Sequence, residues 1–158
     1  MIRVLFVCMG NICRSPTAEA VFRHMIEDAG LAMQIEVDSA GTSDYQGGDP
    51  PDRRAQTAAS KRGYDMARLR ARQVRPKDFL EFDYVLAMDK KNLADLNAIY
   101  PHGGRAEVNL FLQYANGIAT KEVPDPYYGG LTGFETVLDL VEEGARGFLA
   151  HLLQKNRK

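Results

Sequence analysis

An α/β fold built on a parallel sheet is what the sequence predicts, and three observations carry that prediction. Short apolar runs rich in β-branched residues recur along the chain, segments with three- and four-residue apolar spacing separate them, and Gly, Pro, Asn or Asp punctuates the junctions. Parallel strands need long crossover connections, so strands alternating with helices imply a sheet covered by helices on both faces. At 158 residues the chain has the size of one domain, expected to span 1–158, with no linker, repeat or low-complexity tract.

Ile2 to Val7 is an apolar run followed at once by a segment of Gly, Asn, Ser and Pro, which predicts a buried strand ending in a tight loop. The period then changes. Ala18, Val21, Phe22, Met25, Ile26 and Ala29 recur at helical spacing, with Ser15 expected as N-cap, Pro16 at the first helical position and Gly30 closing the helix. Gln34 to Ala40 reads as a second strand, and Gly41 to Pro51 as a polar loop before a helical segment that runs to about Arg62 and is capped by Gly63. Phe82 to Met88 is a third strand, and Asp89 caps a helix carrying Leu93, Leu96 and Ile99 that Pro101 stops. Ala106 to Leu110 reads as a fourth strand. Pro124 to Gly133 is a second punctuated loop, and Val137, Val141, Phe148 and Leu152 mark a long C-terminal helix with one apolar stripe.

Composition narrows the function classes. Twenty basic residues against twenty-one acidic ones leave a net charge of −1, which offers no global field to attract nucleic acid or an anionic membrane. The local run Arg68, Arg70, Arg72, Arg75 and Lys77 reads as a solvated face, with a substrate-docking rim as the alternative. The apolar stretch after Met1 is shorter than a signal peptide or a membrane span, so a cytoplasmic protein is expected. Two cysteines five positions apart argue for thiol chemistry in a reducing compartment rather than a disulfide framework. His24, His102 and His151 are scattered without ligand spacing, and neither a metal nor a cofactor is expected.

In α/β sheets ligands sit at the carboxyl ends of strands beside helix N-termini, which is where Cys8-Met9-Gly10-Asn11-Ile12-Cys13-Arg14-Ser15 falls. Gly10 and Asn11 tolerate unusual backbone angles, so successive N–H groups can turn inward and form an anion-binding concavity. The following helix adds its N-terminal dipole, and Arg14 a planar fork that matches two phosphate oxygens. The same positive surroundings would stabilise a thiolate at Cys8 and make it nucleophilic near neutral pH. Ser15 could donate a hydrogen bond to that thiolate. A lone cysteine after a strand is often a plain buried residue, but C-x5-R-S between a strand and a Ser/Pro helix start carries more information.

CMGNICRSPTAEA, with VDSAGTSDY at Val37 to Tyr45, ARQV at Ala71 to Val74, FDYVLAMDKKNL at Phe82 to Leu93, DPYYGG at Asp125 to Gly130 and FETV at Phe134 to Val137, resembles the low-molecular-weight protein tyrosine phosphatases in the family's order. The resemblance implies a flavodoxin-like (phosphotyrosine phosphatase I-like) fold with four parallel strands. It also implies metal-independent hydrolysis of protein phosphotyrosine and small aryl phosphates through a phosphocysteine on Cys8. Met9 to Cys13, Arg14 and Ser15 would bind the phosphate, and inorganic phosphate or similar oxyanions would also bind. An Asp beside Pro is more often a turn residue, but DPYYG matches the family's general-acid loop, which makes Asp125 the expected acid and then base. Tyr45, Tyr127 and Tyr128 would wall a cleft suited to a phosphorylated phenol. Cys13 would capture an oxidised Cys8 in a disulfide, unless it is a small packed side chain. Ser39 and Asn11 resemble the pair that braces the loop, whereas Leu69 stands where some relatives carry histidine. A monomer or weak self-association is expected.

Three rival readings remain open at this point. Thioredoxin-linked arsenate reductases share the C-x5-R loop but relay a disulfide through later cysteines, which this chain lacks after Cys13. A module that binds phosphate without turnover would account for the anion site but not for Asp125. Phosphoarginine is the rival substrate, used by relatives with threonine where this chain has Ile12.

Overall fold

The computed structural model describes residues 1–127 and 130–155. Four strands form one sheet: β1 (Ile2–Cys8), β2 (Ile35–Gly41), β3 (Tyr84–Ala87) and β4 (Glu107–Leu110). They lie in the order β2-β1-β3-β4, and every pairing is parallel. The helices are α1 (Arg14–Asp28), α2 (Arg53–Lys61), α3 (Asp78–Glu81), α4 (Lys90–Ala98) and α5 (Leu131–Lys155), with a 3-10 turn at Phe111–Tyr114. This is the flavodoxin-like arrangement expected from the sequence.

β1 is apolar throughout its second half because both of its faces are covered, as parallel sheets require. Val4, Phe6 and Cys8 point into a layer shared with α1, α2 and α5, while Leu5 and Val7 point into a second layer with Phe79, Phe82 and Leu96. Phe6 meets Phe22 and Phe111 edge to face at 5.8 and 5.0 Å between ring centroids, and Tyr84 meets Phe148 at 5.2 Å. Each such fully buried aromatic side chain contributes about 1.5–3 kcal/mol of apolar burial. β1 is thereby the rigid centre from which the loop after Cys8 projects.

Several boundaries depart from the sequence reading. α1 starts at Arg14 with Cys13 as a cap that makes no side-chain bond, so Ser15 is not the N-cap. Pro16 is the third helical residue, where a missing N–H costs no intrahelical bond. Phe82 ends the unexpected helix α3 instead of opening a strand, and β3 is confined to Tyr84–Ala87. Asp89 does cap its helix, its carboxylate accepting the Asn92 N–H at 2.7 Å. Gly30 and Gly63 follow α1 and α2 with φ of 72° and 89°, as helix-closing glycines should. Among the described residues no helix is long and apolar enough to cross a membrane.

α5 packs so closely on the 3-10 turn that a Cβ at Gly147 would collide with the Tyr114 carbonyl, which is backbone and cannot swing away. Gly147→Ala should therefore destabilise the protein by about 3 kcal/mol, at the upper end of ordinary overpacking. Urea unfolding reads this directly, and a midpoint unchanged from the parent would contradict so close a contact.

Candidate active site

The loop between β1 and α1 turns on Asn11, which has a φ of 57° while the positive-φ residues otherwise described are glycines. A left-handed L-residue costs about 1 kcal/mol. Hydrogen bonds of about 1 kcal/mol each outweigh that. The Asn11 N–H donates to Cys8 Sγ at 3.3 Å, and Nδ2 donates to Ser15 Oγ at 2.8 Å and Ser39 Oγ at 3.0 Å. Its Oδ1 accepts the Arg72 N–H at 3.0 Å. Asn11, Ser15 and Ser39 are all buried, so their side chains brace the loop from behind. Ser15 Oγ also lies 3.0 Å from Cys8 Sγ. Starting the helix two residues early is what frees the Ser15 side chain for the sulfur.

The brace extends to residues that sequence reasoning missed. Ser39 Oγ donates to Glu19 Oε1 at 2.6 Å, and Glu19 in turn accepts Arg23 at 2.6 Å. Burial pushes the Glu19 carboxyl above its ordinary pKa, against the pull of Ser39 and Arg23. Arg72 is not part of a solvated face. It is only 29% exposed and bridges Asp38 at 3.1 Å and the buried Asp78 at 3.0 Å, which holds its backbone against Asn11. Leu69 packs into the larger apolar layer, and Arg72 supplies the N–H that Asn11 needs. β2 closes the other side: a Cβ on Gly41 would sit 2.6 Å from the Met9 carbonyl, so only glycine permits this approach.

Arg14 is 3% exposed and donates through Nη1 to Asp89 at 2.6 Å and to the Val123 carbonyl at 3.0 Å, with Nη2 3.7 Å from Asp125. Burial works against its charge, but the Cys8 sulfur, Asp89 and Asp125 outweigh burial and hold its pKa above the ordinary arginine value. Asp89 therefore does two tasks: one oxygen caps α4 and the other orients Arg14. Its signal was available, since a capping acid directly after β3 lies at the carboxyl edge of the sheet next to β1.

A cleft of about 360 Å³ opens at this edge. From the loop, Cys8, Met9, Gly10, Ile12, Cys13 and Arg14 line it; Tyr45, Asp125 and Tyr127 line it from elsewhere. Ser43 and Gln46, which flank Tyr45 in the polar loop, line it too and were not foreseen. Tyr45 is 93% exposed, with its N–H on Ser43 Oγ at 3.1 Å. Asp125 accepts the Tyr127 N–H at 3.0 Å, so the turn expected of an Asp beside Pro is present while its second oxygen faces Arg14. Cys8 and Cys13 are buried free thiols. Burial, aided by Asp52, Cys8 and Asp125, pushes the Cys13 pKa far above that of a free thiol, so Cys13 stays protonated. Tyr128 lies outside the described residues.

Such a loop can grip a tetrahedral oxyanion, present a sulfur to it and place a carboxylate beside it. Three comparisons with known proteins agree. A low molecular weight phosphotyrosine protein phosphatase of Schizosaccharomyces pombe is 49% identical over 134 residues, covering 84% of this chain and 85% of that one. The crystal structure of a protein tyrosine phosphatase from Entamoeba histolytica with Hepes in the active site superposes with a TM-score of 0.94 at 38% identity, covering 99% of both chains. A structure described as a Drosophila arginine phosphatase gives 0.89 at 32% identity, covering 96% of this chain and 98% of the other. Residues 3–158 match the family described as low molecular weight phosphotyrosine protein phosphatase, and the chain belongs to that family.

Proposed function

We propose that this protein hydrolyses phosphotyrosine in protein substrates, and small aryl phosphates, through a phosphocysteine on Cys8. The observation that carries the reading is that Asp125, remote in sequence, lines one cleft with Cys8 and Arg14 of the loop, and that Arg14 is set between two carboxylates. Its proposed place is the cytoplasm, where buried free thiols stay reduced.

In the first step the Cys8 thiolate attacks phosphorus, the bond from phosphorus to the tyrosyl oxygen breaks, and Asp125 gives its proton to that oxygen. The backbone N–H groups of Met9 to Ser15 and the Arg14 guanidinium meet the charge on the equatorial oxygens, which is the main demand of phosphoryl transfer. In the second step Asp125 takes a proton from water, the water oxygen attacks phosphorus, and the bond from phosphorus to sulfur breaks. Ser15, 3.0 Å from the sulfur, can donate to it and make it a better leaving group. Asp89 keeps Arg14 aligned throughout.

Ile12 on the cleft lining and aromatic Tyr45 and Tyr127 at its rim favour a phenyl ring. Likeness to an arginine phosphatase keeps phosphoarginine as the second reading. Phosphotyrosine and phosphoarginine peptides assayed side by side decide between them: a higher kcat/KM is expected for phosphotyrosine, and the reverse order would defeat the assignment.

Cys8→Ser should lower turnover by about 10⁴-fold or more while phosphate still binds by calorimetry. Residual activity near that of the parent would remove Cys8 as nucleophile. Asp125→Ala should cost about 10²–10⁴-fold in kcat/KM for phenols that leave poorly and much less for phenols that leave well. An equal loss for both leaving groups would refute the assignment.

A further inference from the structure

Arg54 is absent from the cleft lining, yet it joins the segment behind the phosphate loop to the loop that carries Asp125. It sits in the first turn of α2, whose N-cap Asp52 accepts the Arg54 N–H at 2.8 Å. Its guanidinium also clasps that carboxylate with two donors, Nε to Oδ1 at 3.1 Å and Nη2 to Oδ2 at 3.0 Å. The Asp52 N–H donates to the Ile12 carbonyl at 2.8 Å, which ties this clasp to the phosphate loop itself.

From that anchor, Arg54 Nη2 donates to the Tyr127 carbonyl at 3.0 Å. The guanidinium lies over the Tyr127 ring at 5.5 Å and over the Phe134 ring of α5 at 4.8 Å. Tyr127 then donates its N–H to Asp125, whose other oxygen faces Arg14. These contacts close a circuit from Ile12 through Asp52, Arg54, Tyr127 and Asp125 to Arg14, beginning and ending on the phosphate loop. Asp125 itself is well exposed and holds Arg14 only at 3.7 Å, so its direct tie to the loop is weak. The circuit supplies a second tie. Only arginine fits this place, because it must fork onto a carboxylate, donate to a carbonyl and stack on two rings with one planar group.

We propose that Arg54 is a positioning residue for the general acid, holding the Asp125 loop in register with the phosphate loop by gripping Tyr127 from an anchor on Asp52. The inference rests on the reading of Asp125 as the acid. A displaced acid weakens leaving-group protonation, and misplacement by a fraction of an ångström is enough to slow a proton transfer.

The test is kcat/KM, which reports the first chemical step, on two aryl phosphates: phenyl phosphate, a poor leaving group, and dinitrophenyl phosphate, a good one. Arg54→Met should lower the first about tenfold and the second less than about twofold. Iodoacetate should alkylate Cys8 at the parent rate, since the phosphate loop stays braced by Asn11. Arg54→Lys, which keeps the charge but not the fork, should fall between Arg54→Met and the parent on phenyl phosphate. In an Asp125→Ala background, Arg54→Met should add nothing, because the acid it positions is gone.

Equal losses on both substrates together with slower alkylation would overturn the proposal and make Arg54 a support of the phosphate loop through Asp52. A loss confined to KM for acidic phosphopeptides would overturn it in favour of direct substrate contact. An undiminished penalty in the Asp125→Ala background would overturn it as well. If Asp125→Ala itself shows no leaving-group dependence, the acid assignment fails first, and that outcome is separate from any result with Arg54.

Discussion

Asn11 stands in a left-handed conformation that its own four hydrogen bonds make tolerable, and the geometry of the loop between β1 and α1 depends on it. Its main chain turns the loop and gives its N–H to the Cys8 sulfur; its side chain links α1, β2 and the segment carrying Arg72. Each partner is itself held: Ser39 by Glu19, Arg72 by Asp38 and Asp78, and Ser15 by its place in the first turn of α1. A polar network this buried is stabilising only when every member is satisfied, which explains why the brace reaches as far as Arg23 on the surface.

Charge balance is the second organising constraint. A buried guanidinium is costly unless paired, and Arg14 has Asp89 at 2.6 Å, Asp125 at 3.7 Å and the Cys8 sulfur nearby. The tight pairing goes to the carboxylate that orients Arg14, and the loose one to the carboxylate assigned to chemistry. That inequality suits the proposed roles: an acid that must change protonation during turnover cannot also be a permanent counter-ion. The neutral Cys13 thiol adds no charge to the balance.

The layering was legible because strand and helix periods are local. β1, β2 and β4 fall within one or two residues of expectation, and the caps Asp89, Gly30 and Gly63 are where turn chemistry puts them. The misreadings have a common cause. Ser15 has the chemistry of an N-cap, but the thiol and Asn11 compete for its hydroxyl and win. Phe82 has strand propensity, yet the buried Asp78 accepts the Arg75 N–H and turns the preceding residues into a short helix. Arg72 read as one charge in a basic run because its partners, Asp38 and Asp78, are unremarkable acids in sequence.

By itself the sequence determined the strand, loop and helix order and the family, since these depend on residue type at short spacing. Only the tertiary structure decided that Asp89 aligns Arg14, that Glu19 and Arg72 complete the brace behind Asn11, and that Arg54 joins Asp52 to Tyr127. A hydrogen bond between residues 20 to 75 positions apart leaves no periodic trace in the chain. It forms because the parallel register brings the carboxyl ends of β1, β2 and β3 together at one edge, where their following loops must satisfy one another's charges.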